Sequence, residues 1–287
     1  MKILVTGANG QLGYDVCRRL AAIGYTAERD YRGIDIADLD ITDEGAVHEY
    51  LQAYRPDAVI HCAAYTAVDR AEGERDACMR VNAYGTKYLA EAAAEIGARF
   101  LYISTDYVFD GEKKGEYLPE DGVCPVSVYG ESKELGEQFV RAATVQHYIV
   151  RISWVFGAHG NNFVKTMLRL AETRDTLSVV CDQIGSPTYT ADLAVLLCNM
   201  IGTQHYGTYH ATNTGTCSWY EFACEIFRQA GRAVKVVPVT TQEYLCMVPQ
   251  QARRPKNSVM NQKKLAENGF DFLPDWKDAL KRFLAEI

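Results

Sequence analysis

The sequence lacks three features that would place it in other classes of protein. It has no apolar run near the ~20 residues that a membrane-spanning helix requires, so we do not expect it to act in a membrane. It has no excess of basic residues, since 30 Lys and Arg stand against 37 Asp and Glu, and the net charge of −7 argues against nucleic acid as a partner. The apolar run that follows Met1 is too short for a secretion signal. These absences predict a cytoplasmic protein.

Cysteine is present, but without the spacing of a zinc site or of a disulfide framework. The nine cysteines are scattered, no two of them form a C-x-x-C pair, and an odd number cannot all pair within one chain. The histidines show no ligand spacing, and Asp192 and Glu286 are isolated acids. The sequence therefore predicts reduced thiols and no bound metal.

Short apolar runs alternate with longer amphipathic stretches along the first half of the chain. Met1–Thr6 has the pattern of a buried strand, Leu12–Ile23 that of a helix and Tyr25–Asp30 that of a second strand. A long helix is expected from Asp76 to Ile96, where Gly97 ends it. Strands that alternate with helices of ten or more residues indicate βαβ units and a parallel sheet.

The pattern predicts an α/β protein with a Rossmann-type, doubly wound parallel sheet and a smaller C-terminal substrate-binding lobe. We expect the domain that carries the sheet to span residues 1–160. The lobe should lie mainly within residues 161–287 and be interwoven with the first domain, because later strands return to the sheet.

A glycine-rich segment lies between the first predicted strand and the first predicted helix. Gly7, Gly10 and Gly13 have the spacing G-x-x-G-x-x-G. Such a backbone comes close to a pyrophosphate because glycine has no Cβ and adopts positive φ, and the positive end of the next helix points at the same place. A glycine motif alone also fits an ordinary tight turn, but the strand before it and the helix after it favour a dinucleotide site.

An acidic residue about twenty residues beyond the glycines is expected to meet the adenosine ribose of a dinucleotide. Asp30, at the end of the second predicted strand, is the candidate. The neighbouring Arg29 and Arg32 would equally neutralise a 2′-phosphate, so the residues do not separate NADH from NADPH. Asp40 and Ile41 are candidates for the adenine side.

Tyr129 and Lys133 stand four residues apart, which places a phenol and an ammonium on one face of a helix. A positive charge about 4 Å away would lower the pKa of a tyrosine from near 10 by roughly three units. Thr105 follows a predicted central strand, at the edge where such sheets bind ligands, and its hydroxyl is suited to a substrate carbonyl. Ala63 and Ala64 leave room for a cofactor beside it. Tyr129, assisted by Lys133, is therefore predicted to act as a general acid.

These residues resemble those of the extended short-chain dehydrogenase/reductase superfamily and, within it, the dTDP-4-dehydrorhamnose reductase family. The matching stretches are GANGQLG at 7–13, LDITD at 39–43, AAYTAVD at 63–69, VN at 81–82, STDYVFDG at 104–111, YGESK at 129–133, RISWVF at 151–156, NFV at 162–164, DQIGSPT at 182–188 and RRP at 253–255. The glycine motif and the Tyr/Lys pair are typical of the superfamily. The stretches that begin at 104, 151 and 182 indicate the narrower family.

The resemblance implies that NADPH or NADH delivers a hydride to C4 of a nucleotide sugar, dTDP-4-dehydro-β-L-rhamnose, and gives dTDP-β-L-rhamnose. It implies that Tyr129 protonates the C4 oxygen, that Lys133 holds the nicotinamide ribose, and that Thr105 positions the carbonyl. The residues implied to bind the cofactor are Gly7, Gly10, Gln11, Leu12, Gly13, Asp30, Asp40, Ile41, Ala63, Ala64, Tyr65, Tyr129 and Lys133. Those implied or suited to bind the substrate are Thr105, Asp106, Trp154, Asn162, Gln183 and Arg254.

Two other functions remain open from the sequence. An epimerase or dehydratase of the same superfamily keeps its dinucleotide bound and recycles it. A non-catalytic NADP-binding subunit, like the regulatory subunit of methionine adenosyltransferase, would not need Thr105, Tyr129 and Lys133 together. Some relatives are described as metal-bridged dimers, whereas here we expect a monomer or homodimer without metal.

Overall fold

The computed structural model describes residues 1–248 and 251–287, and this part of the chain holds fourteen strands and twelve α-helices. The strands are β1 (Ile3–Thr6), β2 (Tyr31–Ile34), β3 (Ala58–His61), β4 (Arg99–Thr105), β5 (His147–Ile152), β6 (Val155–Phe156), β7 (Thr176–Val180), β8 (Ile184–Gly185), β9 (Thr188–Tyr189), β10 (Gly207–His210), β11 (Asn213–Thr214), β12 (Cys217–Ser218), β13 (Lys235–Val239) and β14 (Leu273–Asp275). The helices are α1 (Gln11–Ala22), α2 (Glu44–Tyr54), α3 (Val68–Ala71), α4 (Arg75–Met79), α5 (Thr86–Glu95), α6 (Val128–Ala143), α7 (Phe163–Leu170), α8 (Thr190–Ile201), α9 (Trp219–Gln229), α10 (Thr241–Met247), α11 (Lys263–Glu267) and α12 (Trp276–Leu284).

Six strands form one parallel sheet in the order β10-β5-β4-β3-β1-β2. The chain runs outward in both directions from β1, because β2 pairs with one side of β1 and β3 with the other. This confirms the doubly wound α/β fold. In such a sheet the ligand site lies beyond the carboxyl ends of the strands, where the winding direction changes.

The residues of β1 show why the sheet is covered on both faces. Ile3 and Val5 pack in one core cluster with α1 and α8, whereas Leu4 packs in a second cluster with α2 and α5. Successive strand residues point to opposite faces, so an uninterrupted apolar run fits a strand with helices on both sides. No helix of the described residues is both long enough and apolar enough to span a membrane.

Two predicted elements differ from the structure. The second strand is Tyr31–Ile34, not Tyr25–Asp30, because the residues before it turn back on themselves: the Asp30 carboxylate accepts from the Thr26 amide at 2.8 Å. The helix expected from Asp76 to Ile96 is interrupted by a π-helical turn, Arg80–Gly85, between α4 and α5.

A third core cluster forms in the C-terminal part of the chain. Aromatic residues of α9 and α12 pack with Phe156 beside the two-stranded pair β7–β13. In contrast, β10 pairs with β5 at the edge of the main sheet, so the later chain does return to it. A division of the chain near residue 160 remains a prediction.

Candidate active site

A cleft of about 820 Å³ lies at the carboxyl ends of β1, β3, β4 and β5. One end is lined by the glycine-rich segment and the loop after β2, and the other by Thr105, Tyr129 and Lys133. Most of the predicted site residues line this cleft: Gly7, Gly10, Gln11, Leu12, Gly13, Asp40, Ile41, Ala63, Ala64, Tyr65, Thr105, Asp106, Tyr129, Lys133 and Trp154.

The glycine-rich segment fits a diphosphate. Gly7 has φ +67°, and a Cβ there would lie 2.7 Å from the backbone of Ala63, while a Cβ on Gly13 would lie 2.1 Å from the Gly7 carbonyl oxygen. The loop therefore sits directly on the start of α1, and no described side chain caps that helix at Gly10. The first amides of α1 are left to face the cleft with the positive end of the helix dipole, which suits an anionic group.

Asp30 does not lie at the adenosine end of the cleft. Asp30 precedes β2, and its carbonyl oxygen accepts from the Ile3 amide at 2.9 Å, so it lies at the amino ends of the strands, opposite the cleft. Its carboxylate pairs with Arg29 at 2.7 Å. The prediction that Asp30 meets the ribose is therefore wrong, because the second strand begins later than its sequence pattern suggested.

Asp35 occupies the place that the prediction gave to Asp30. It follows the last residue of β2 and lines the cleft. One carboxylate oxygen accepts from the Asn9 amide in the glycine-rich loop at 3.0 Å, and the other from the Ile36 amide at 2.8 Å. Asp40 also lines the cleft, but its carboxylate is bound to the Thr42 amide and hydroxyl, which lower its pKa.

The start of α6 brings Tyr129 beside Thr105. Ser127 caps the helix through the Gly130 amide at 3.1 Å. A Cβ on Gly130 would lie 2.2 Å from the Tyr107 carbonyl oxygen, so glycine allows the helix to touch the turn that follows β4. The rings of Tyr107 and Tyr129 meet edge to face at 5.4 Å, and the Thr105 hydroxyl donates to Asp106 at 2.9 Å.

The surroundings of Tyr129 shift its pKa in the opposite direction to the one that the sequence predicted. Burial and the nearby Asp106 carboxylate raise the pKa of Tyr129 above its usual 10, with the Thr105 hydroxyl opposing them. Lys133 is also buried, its Nζ lies 4.2 Å from the centre of the Tyr102 ring, and burial lowers its pKa to about 7. The expectation of a Tyr129 pKa near 7 is therefore wrong for the free protein. The phenol keeps its proton at neutral pH, as a donor to a developing alkoxide must.

Asp106 brings a buried carboxyl group to the wall of the cleft. It is buried, and its Oδ2 has no hydrogen-bond partner among the described residues. Burial raises its pKa to about 6. This carboxyl group accepts from the Thr105 hydroxyl, which is expected to meet the substrate carbonyl, and the hydroxyls of Ser258 and Thr105 both lower its pKa against the effect of burial.

Trp154 follows β5 in a strained conformation at the wall of the cleft. Its φ of +50° lies in the left-handed region, which a tryptophan rarely adopts. Its indole stacks on that of Trp219, with ring centres 3.7 Å apart and planes 13° apart. One face of the Trp154 ring is thus covered by protein, and only its remaining surface is offered to a ligand.

Three predicted substrate residues lie outside the lining of the cleft. Asn162 caps α7 and donates to the Gln11 side chain at 3.0 Å, so its polar atoms are used within the protein. Gln183 is buried and donates to Thr241 at 3.1 Å. Direct contact of these two with the sugar nucleotide is not supported.

Arg254 is nearer to the cleft than the other two. It pairs with Asp69 at 2.9 Å, and its charge acts on Tyr107, a cleft residue whose pKa is raised by burial. Its neighbour Arg253 points elsewhere, towards Glu112, and is largely exposed.

Sequence reasoning missed two residues of the site. Asp35 would have been found had the Gly33-Ile34 dipeptide been taken as the end of a strand rather than part of a loop. Trp219 gave no usable signal, because only the fold brings it to Trp154, 65 residues earlier.

Comparison with known proteins gives consistent matches. The family model described as the RmlD substrate-binding domain matches residues 1–287. A dTDP-4-dehydrorhamnose reductase of Aggregatibacter actinomycetemcomitans is 42% identical over 297 residues, covering 99% of this chain and 98% of the relative. The crystal structure of such a reductase from Clostridium acetobutylicum has a TM-score of 0.95 and 46% identity, with 100% and 99% of the two chains covered. Another from Bacillus anthracis, in complex with NADP, has a TM-score of 0.93 and 47% identity, with 99% of each chain covered.

Proposed function

The chain belongs to the RmlD substrate-binding domain family, and on that premise we propose that it reduces the C4 ketone of dTDP-4-dehydro-β-L-rhamnose to give dTDP-β-L-rhamnose. One observation carries the proposal. Thr105, Tyr129 and Lys133 line one end of a cleft whose other end is the uncapped start of α1. A hydroxyl, a protonated phenol and an amine thus line the same cleft as an anion site.

NADPH or NADH, when bound, supplies the hydride. The glycine-rich loop and the first amides of α1 hold the pyrophosphate, and Lys133 holds the nicotinamide ribose. Thr105 orients the ketone, and Tyr129 gives its proton to the C4 oxygen. Trp154, Asp106 and Arg254 are the residues that we expect to contact the sugar nucleotide.

The test is a stoichiometric assay with purified protein. We expect loss of reduced-nicotinamide absorbance equal to the dTDP-4-dehydrorhamnose added, and dTDP-rhamnose as the product. A UDP-linked 4-keto sugar serves as the comparison substrate. An epimerase or a dehydratase would convert sugar without net loss of the added cofactor, and a binding subunit would bind NADPH and consume none, so either result would contradict the proposal.

We propose in addition that NADH is preferred to NADPH. Asp35 and Asp40 line the adenosine end of the cleft, and Lys133 at the opposite end is the one lysine or arginine that lines it among the described residues. The 2′-phosphate of NADPH would therefore meet the Asp35 carboxylate at an end of the cleft that no lysine or arginine of the described residues lines, although the charge of Arg80, outside this lining, lowers the pKa of Asp40. Arg32, which the sequence left as a phosphate partner, pairs with Glu28 and lies over the Tyr54 ring.

Asp35→Asn should reduce this preference. We expect wild-type protein to bind NAD⁺ about 10–100-fold more tightly than NADP⁺, because one carboxylate repels the phosphate by a few kcal/mol at this range. The variant should bring the two dissociation constants, measured by calorimetry, within a few-fold of each other. Asp30→Asn is the matched control and should leave the ratio unchanged. Equal affinities in the wild type, or an equal effect of the control, would disprove the role of Asp35.

The compartment, the assembly and the domain roles follow as proposals. All nine cysteines are free thiols, which supports a reducing compartment such as the cytoplasm. We propose a monomer or homodimer in which residues 1–160 bind the cofactor. Residues 161–287 would contribute mainly to the sugar nucleotide site, and the contact of Trp219 with Trp154 supports this.

A further inference from the structure

A fully buried glutamate lies one helical turn beyond Lys133 on α6. Glu137 accepts hydrogen bonds from Ser104 at 2.5 Å, from Arg151 at 2.8 and 2.7 Å, and from Arg141 at 2.7 Å. Ser104, Glu137 and Arg151 are each at most 2% exposed, whereas Arg141 reaches solvent. The carboxylate is thus bound by residues of β4, of β5 and of its own helix, α6.

Those elements are the ones that carry the active site. Ser104 immediately precedes Thr105 on β4, and it stands opposite Arg151 in the register of β4 and β5. Arg151 lies three residues before Trp154. Glu137 shares its helix face with Lys133 and Tyr129, four and eight residues earlier. One carboxylate therefore links the supports of four site residues.

Arg151 is itself held on several sides. Its second amino group donates to the Pro119 carbonyl at 3.2 Å, and its guanidinium lies 5.0 Å from the centre of the Phe109 ring. These contacts hold the Arg151 end of the ion pair, and the hydrogen bonds from Ser104 and Arg141 hold the Glu137 end. A rigid pair of this kind allows little sliding of α6 along the sheet.

Stability alone does not account for the network. A buried ion pair gains little over apolar side chains of similar volume, because both charges lose their hydration. What apolar packing does not provide is a directional link, since hydrogen bonds fix distance and angle while apolar contacts tolerate displacement.

We propose that Glu137, through Arg151 and Ser104, is a positioning residue that sets α6 against β4 and β5 and so holds Tyr129 opposite Thr105. The inference rests on the proposed reductase activity. Glu137 has no part in proton transfer, and it acts through the placement of the groups that do. A shift of about 1 Å at such groups lowers turnover by roughly 10²-fold.

The test separates positioning from stability with the double variant Glu137→Met/Arg151→Met. We expect a thermal unfolding midpoint close to that of the wild type and a kcat lower by about 10–100-fold. The dissociation constant for NAD⁺ should rise by only a few-fold, because the pyrophosphate site at α1 is untouched and only the contact from Lys133 is displaced. A kcat equal to the wild-type value in a folded double variant would overturn the proposal. Wild-type turnover in the same assay shows whether the proposed function itself holds.

Single variants keep the proposal testable if the double variant does not fold. Ser104→Ala removes only the link from Glu137 to β4, and we expect kcat to fall at least about fivefold with the unfolding midpoint unchanged. Arg141→Gln removes only the exposed partner and should keep kcat within about twofold. Equal effects of the two variants on kcat, or no effect of Ser104→Ala, would refute the positioning role.

Discussion

Tyr129→Phe is expected to lower kcat for ketone reduction by about 10²–10⁴-fold, the usual contribution of a positioned general acid. The variant removes one oxygen and keeps the ring, which meets Tyr107 edge to face. Because the phenol of the wild type keeps its proton well above neutral pH, its loss removes the donor over the whole physiological range. The affinity for NADH should change little.

Steady-state rates and cofactor binding, measured on the same preparation, check this result. Tyr84→Phe is the control, since Tyr84 is exposed and packs on Phe139 on the outside of α6. The wild type should also show no loss of kcat from tyrosine ionisation below about pH 10, because the pKa of Tyr129 is raised. Undiminished turnover in the Phe variant would remove Tyr129 from the mechanism.

The central fold was predictable from the sequence because its signals are local. Ile3-Leu4-Val5 followed by the glycines and an amphipathic helix determines one strand–turn–helix unit without help from the rest of the chain. The prediction of the second strand was wrong because its signal is not local. Tyr31–Ile34 is short, contains a glycine and joins the edge of the sheet, so only its pairing with β1 identifies it.

The same distinction separates the two ends of the site. Tyr129 and Lys133 are four residues apart on one helix, so the sequence alone places them together. The partners of the predicted substrate residues are distant in sequence: Gln183 binds Thr241, 58 residues on, and Arg254 pairs with Asp69, 185 residues earlier. The spacing of residues along the sequence does not predict contacts over such separations. Burial was also invisible, and it reverses the expected direction of the Tyr129 pKa.

Lys133→Met should lower kcat by about 10²–10³-fold and, unlike Tyr129→Phe, should also weaken NADH binding, because the ammonium is proposed to hold the ribose. The same change should stabilise the free protein below neutral pH. Burial lowers the pKa of Lys133 to about 7, against the raising effect of the Glu137 carboxylate. Below pH 7 the folded wild type must therefore bury a positive charge that the variant does not carry.

The pH dependence gives this second effect its sign. Between the folded pKa of about 7 and the unfolded value near 10.4, the unfolded chain binds a proton that the folded chain has released, so wild-type stability rises with pH across this window. Methionine does not titrate. The variant should therefore unfold about 4–8 °C higher than the wild type at pH 6, on the order of 2 kcal/mol, and the difference should shrink as the pH approaches 10. Lys87→Met, on the half-buried face of α5, should show no such trend. A lower midpoint for Lys133→Met at pH 6 would mean that the buried amine stabilises the fold, and that the cleft does not impose the cost of desolvation on the group it uses.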